Sequence, residues 1–181
     1  MALLPPAGAL AELEAVVGPQ RTRWPGLRWT SELEASHVTL AFLGEVDEAR
    51  VLALRTQLEG AADLHPSLII RISGAGGFSS AVQARVLWAG LQGDLRALAA
   101  LAASVAAGAG RAGCAPPQPS SRYHPHLTLA HCQERTDLRS LIQILSGFAG
   151  STWTAGHVHL IRSQLGSCPR YDTVGSWPLR Q

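Results

Sequence analysis

Apolar residues at helical spacing, Leu10, Leu13, Val16 and Val17, predict a helix over Ala9–Val17, with Pro5-Pro6 before it and Gly18-Pro19 as its stop. Leu27–Thr30 and His37–Leu43 read as strands. Asp47 is the expected N-cap of a helix reaching Leu58, with Val51, Leu54 and Leu58 as its apolar stripe and Gly60 ending it. Alternation of Leu68, Ile70 and Ile72 marks a strand over Ser67–Ser73, and Arg85–Leu91 is a second strand after the Gly74–Ser80 turn region, together a hairpin. An Ala/Leu helix over Asp94–Ala107 breaks at Gly108-Ala109-Gly110, and Cys114–Ser121 is a Pro/Ser-rich loop. A helix over Thr136–Leu145, capped by Thr136, and strands Thr154–Ser163 and Tyr171–Leu179 close the chain.

The order strand, helix, strands, helix thus occurs twice. Helices on the outer faces of two antiparallel sheets give an α+β fold, and the repetition predicts a single bilobal domain over residues 1–181 with a cleft between its lobes. Hydrophobic residues make up 46% and charged residues 15%, which excludes a disordered chain. The net charge of +2 excludes a general polyanion coat, so any nucleic-acid contact must be local. All 15 basic residues are Arg, and without Lys neither a phosphate-binding GxxxxGK loop nor an adenylated lysine is possible, which excludes nucleotide-driven ligation. The three cysteines, Cys114, Cys132 and Cys168, form no C-x-x-C pattern, so a reducing cytoplasm is expected. No apolar run is long enough for a bilayer span and no signal peptide is evident, so no membrane partner is expected.

One tetrapeptide pattern occurs twice within matching surroundings, at His37-Val38-Thr39-Leu40 and His126-Leu127-Thr128-Leu129. On a strand, His and Thr two positions apart share a face, so Val38, Leu40 and Phe42 are expected under a helix while His37, Thr39 and Ala41 face the cleft. In the second copy Leu127 and Leu129 point inward, and His126, Thr128 and Ala130 outward. Imidazoles titrate near pH ~6.5, so one can be neutral and the other protonated at neutral pH. Two of them, with two hydroxyls to hold non-bridging oxygens, suit base-then-acid displacement at a phosphate.

With these residues the chain resembles the 2H phosphoesterase superfamily, and within it the bacterial RNA 2′,3′-cyclic phosphodiesterases, also called 2′-5′ RNA ligase-like proteins. Leu3-Leu4-Pro5-Pro6, Leu27-Arg28-Trp29, His37–Gly44, Gly74–Phe78, Tyr123–Ala130, Ser163, Tyr171 and Trp177-Pro178-Leu179 carry the resemblance. It implies a pseudo-twofold fold with both motifs in the central cleft, no metal or other cofactor, His37 as proton donor and His126 as proton acceptor. The implied substrate is RNA with a 2′,3′-cyclic phosphate end, or a cyclic nucleotide, opened to a 2′-phosphomonoester by a monomer. Ligation in reverse and a non-catalytic nucleotide- or RNA-binding module are the alternatives.

Two departures from the family pattern stand out. His131 occupies the position after the second motif's Leu-Ala where Arg is usual, and by strand parity it faces away from His126 unless the strand ends or bulges at Ala130. Only Met1–Leu4 precede the Pro-Pro turn, a short first strand that leaves a sheet edge poorly paired. Among the aromatics Trp24, Trp29, Phe78, Tyr123, Trp153 and Tyr171, most are expected in the core, and Tyr123 is the best candidate to stack on a base. His157 and His159 are expected on a solvated strand face, His65 in a turn, and His124 either at a loop end or touching the cleft.

Overall fold

The computed structural model describes residues 1–30, 36–114, 123–164 and 170–181. The elements run β1 (Ala2–Leu3), α1 (Ala7–Arg23), β2 (Leu27–Trp29), β3 (Val38–Thr39), α2 (Glu48–Asp63), β4 (Leu68–Phe78), β5 (Ala84–Gly93), α3 (Leu95–Arg111), β6 (Leu127–Thr136), α4 (Arg139–Ser146), β7 (Trp153–Ala155), β8 (His157–Gln164) and β9 (Arg170–Pro178). Two antiparallel sheets result, β3-β1-β8-β9 and β2-β6-β5-β4-β7. They line a central cleft in the expected bilobal, pseudo-twofold α+β arrangement. α2 lies against β9 and α3, while α1 and α4 pack on β4.

Several elements outrun their local stop signals. α1 continues through Gly18-Pro19 to Arg23. A proline inside a helix removes a donor and normally breaks it, but Gln20 beyond it is buried and Arg21 bonds Glu14 (2.8 Å) and the Thr30 carbonyl (2.8 Å), so tertiary contacts hold the extra turn. α2 begins as expected, with Asp47 Oδ1 accepting from the Ala49 amide at 3.0 Å, and runs past Gly60 because Ala61 and Ala62 extend its buried stripe. α3 passes through Gly108, where a Cβ would sit 3.1 Å from the Gln57 carbonyl oxygen, so glycine there lets α2 and α3 approach closely.

Other expectations change more. Thr136 ends β6, its hydroxyl bonding the Glu134 carbonyl (2.9 Å), and the N-terminal backbone of α4 is met instead by Asp137, which accepts from the Arg139 amide (3.1 Å). The strand expected over Thr154–Ser163 is two strands in different sheets, β7 beside β4 and β8 beside β1, with Gly156 at the crossing. The short β1 is no exposed edge, since it pairs with β3 on one side and β8 on the other. β4 continues beyond Ser73 to Phe78 by slipping register between Ile72 and Ala75.

The four-stranded sheet is strongly curled. β3 and β9 are its two edges, about 14 Å apart if the sheet were flat, yet the ring of His37, just before β3, lies 5.1 Å from that of Tyr171 on β9. An irregularity between Leu160 and Ile161 bends the β8–β9 hairpin over. The opposite face buries Leu3, Val38, Val158 and Trp177 in a continuous core that also takes in Leu127 and Leu129. Complete burial of each such leucine is worth roughly 1.5–3 kcal/mol, which fixes the facing of the motif strands.

Candidate functional site

Motif 1 sits on the concave side of the curled sheet. His37, Thr39 and Ala41 line a hollow together with Ile161 and Ser163 of β8 and Tyr171 of β9, so Thr39 faces the cleft while Val38 and Leu40 are buried beneath it. The strand is shorter than expected. After Thr39 the backbone turns, Leu40 and Ala41 donate to the Met1 carbonyl, and Phe42 is exposed instead of packing beside Leu40.

Motif 2 sits at the start of β6. Leu127 and Leu129 are fully buried, which turns Thr128 to the opposite face, where it lies across from Trp88 of β5. His126 precedes the strand, and its Nδ1 lies 2.7 Å from the His124 carbonyl oxygen. A carbonyl only accepts, so Nδ1 carries the proton and the lone pair of the neutral ring is on Nε2. Phe78 meets the His126 ring edge-on at 4.7 Å, and Trp88 covers His124 at 4.5 Å. This apolar wall desolvates the imidazolium, so burial, with a smaller push from the nearby His124, lowers the His126 pKa below its ordinary value against the opposing pull of the His124 carbonyl. The net effect favours the neutral ring. Neither the Thr39 nor the Thr128 hydroxyl is engaged by another protein group among the described residues.

Tyr123 ties the two motifs together. Its hydroxyl, three residues before His126, donates to the Thr39 backbone carbonyl at 3.0 Å, and its ring packs against the core. Burial raises the Tyr123 pKa, so the phenol stays protonated and the bond persists across the working pH range.

His131 is where the second motif departs from strand parity. Leu87 pairs with Ala130 and Trp88 with Thr128, leaving Leu129 as an extra residue, a β-bulge next to the position where one was needed to turn His131 toward the cleft face. Beyond the bulge His131 stands on the face of Thr128, directly opposite Arg28 of β2. Its pKa is lowered by burial and by the Arg28 charge. The fixed cation absent from position 131 is therefore present on the neighbouring strand.

Sequence reasoning missed Trp88, a lone strand aromatic with nothing local to mark it. Its signal lay across the hairpin at Gly76, where any Cβ would collide with the Trp88 indole, so glycine there makes room for the ring. His157 and His159 lie with ring centroids 6.2 Å apart on the face opposite the buried Val158 and Leu160. That face is not simply solvated, since the register of Thr39, Ala2 and His159 across three strands puts His159 on the Thr39 side of the sheet with its Nδ1 buried. His65 occupies the turn after α2 and bonds Ser104 at 2.7 Å. Cys114 and Cys132 are free thiols, and Cys168 lies outside the described residues. Among the described residues no helix is long and apolar enough to cross a membrane.

Known proteins share this fold. The 2′-5′ RNA ligase superfamily matches residues 8–167. The Escherichia coli RNA 2′,3′-cyclic phosphodiesterase is 36% identical over 93 residues, 51% of this chain and 49% of that protein. The Aeropyrum pernix protein of the same name is 30% identical over 116 residues, 64% of each chain. The chain thus spans between about half and two thirds of the length of these relatives. A crystal structure of a Thermus thermophilus protein superposes with a TM-score of 0.75 at 25% identity, covering 99% of this chain and 96% of that one. Escherichia coli LigT in apo form has the same fold, with a TM-score of 0.75 at 22% identity over 99% of this chain and 95% of that one. The bilobal fold and a match over residues 8–167 place the chain in the 2′-5′ RNA ligase superfamily of 2H phosphoesterases.

Proposed function

We propose that this protein hydrolyses RNA 2′,3′-cyclic phosphate ends, or the corresponding cyclic nucleotides, to 2′-phosphomonoesters. The observation that carries the proposal is the His126 imidazole, fixed by the His124 carbonyl with its Nε2 lone pair available and its basicity lowered by an apolar wall. The names of the curated relatives support the same activity.

In this mechanism the cyclic phosphate lies between the motifs, with the Thr39 and Thr128 hydroxyls donating to its non-bridging oxygens. Nε2 of His126 takes a proton from water as the water oxygen bonds to phosphorus. The bond from phosphorus to the ribose 3′ oxygen breaks in line with that attack, and His37 protonates the departing oxygen. The product carries a 2′-phosphate and a free 3′-hydroxyl, with His126 protonated and His37 deprotonated. Proton exchange with solvent resets the pair. The two imidazoles and two hydroxyls supply every proton and every phosphate contact, so the reaction needs no metal. We place the protein as a monomer in the reducing cytoplasm, where its free thiols persist.

The test is incubation of the purified protein with an oligoribonucleotide ending in a 2′,3′-cyclic phosphate, followed by phosphorus NMR. A 2′-phosphate as main product is expected. Binding without product contradicts the proposal, and a 3′-phosphate overturns the assignment of the leaving oxygen.

A further inference from the structure

Beyond the motifs, an arginine and a histidine paired on the cleft face have no task in the mechanism. Arg28 on β2 and His131 on β6 are directly opposite residues of an antiparallel pair, so their side chains share a face. Their neighbours fix which face. Leu27 is buried and Trp29 packs on the core, as do Ala130 and Cys132 opposite them, leaving Arg28 and His131 exposed on the other side. The bulge at Leu129 makes that side the face of Thr128 as well. Without the bulge, His131 would lie under the sheet and Arg28 would stand alone.

We propose that Arg28 and His131 form a docking site for a second phosphate, the one on the 5′ oxygen of the nucleotide whose cyclic end occupies the cleft. The inference rests on the cyclic-phosphate function proposed above. His131 and Thr128 stand opposite Val86 and Trp88, two residues apart on β5, so the bulge leaves them about 7 Å apart along the strand, within reach of the next phosphate of the same ligand. Arg28 supplies a permanent charge and a planar donor fork suited to phosphate oxygens, and the imidazole adds an N–H donor. Directly opposite residues of an antiparallel pair have Cβ atoms about 4.5–5.5 Å apart, close enough for the two side chains to address one anion. No hydrogen bond or ion pair engages either side chain among the described residues. With a net charge of only +2, recognition of a polyanion depends on such local pairs. The site would make the enzyme prefer substrates carrying a 5′ phosphate or a chain over a bare cyclic nucleoside.

The experiment compares kcat/KM for three substrates: a nucleoside 2′,3′-cyclic phosphate, the same compound with a 5′-phosphate, and a dinucleotide with a 2′,3′-cyclic end. The wild-type protein is expected to favour the latter two, and Arg28→Gln to reduce that preference about three- to tenfold, the worth of one charged contact at an exposed site, with partial rescue by Arg28→Lys. Loss of preference for both substrates assigns a phosphate site in general. Loss for the dinucleotide alone assigns a phosphodiester within a chain. A preference ratio unchanged by Arg28→Gln overturns the inference. Absence of wild-type turnover on all three contradicts the proposed function instead, and calorimetric binding of a dinucleotide bearing a 2′-phosphate then tests the site directly, since equal affinity for wild type and Arg28→Gln rejects it.

Discussion

Removing one oxygen from Tyr123 tests how the two motifs are held in register. Tyr123→Phe deletes the hydroxyl that bonds the Thr39 carbonyl at 3.0 Å and leaves the ring in its core contacts. A neutral, partly buried hydrogen bond of this kind is worth about 1 kcal/mol net. For a chain of 181 residues that loss lowers the melting temperature by about 2–4 °C. If the whole of it is also expressed in how accurately Thr39 meets the phosphate, kcat falls about fivefold. Because burial keeps the phenol protonated, the deficit should be the same from pH 5 to 9. A base-stacking role makes a different prediction: Phe keeps the stacking face, so Tyr123→Phe would be silent while Tyr123→Leu raised KM alone. The assays are thermal unfolding and steady-state hydrolysis of a 2′,3′-cyclic nucleotide by both variants. A Tyr123→Phe protein with wild-type melting temperature and kcat refutes the positioning argument.

The lowered pKa of His126 sets the acid limb of the rate profile: a general base works only when neutral, so activity is present above its pKa and lost as the pH falls through it. That limb should lie below the ordinary histidine value of 6.5, and a limb at pH 7 or above contradicts the desolvated site. Thr39→Val and Thr128→Val should each cost about 1–3 kcal/mol in kcat/KM, the loss of a hydrogen bond to a charged oxygen; equal rates for variant and wild type would remove them from the phosphate site. Full turnover is expected in excess chelator, and a loss that zinc restores would redirect attention to His157 and His159.

The elements most legible in sequence were those whose signals are local. Val38, Leu127 and Leu129 announce buried strand faces by alternation, and Asp47 announces a helix start, because these depend on a few adjacent residues. The stops at Gly18-Pro19 and Gly60 were overridden by tertiary contacts, Arg21 with the Thr30 carbonyl beyond the helix end and α2 with α3 far along the chain, which hydrophobic periodicity does not register. The division of Trp153–Gln164 between two sheets follows from which partners each half finds, β4 or β1. The pairing of His-x-Thr motifs was readable as a repeat. The wall of Phe78 and Trp88, the Tyr123 bond and the bulge that turns His131 toward Arg28 were not, since each is a relation between strands and not a pattern along one.

The central claim, that two histidines move the protons, is tested most directly by single-turnover hydrolysis of a 2′,3′-cyclic phosphate with His37→Ala and His126→Ala. The account predicts a fall of roughly 10²–10⁴ in rate for each, with retained folding and retained binding of the 2′-phosphate product. Rates near that of the wild type for either variant would contradict it.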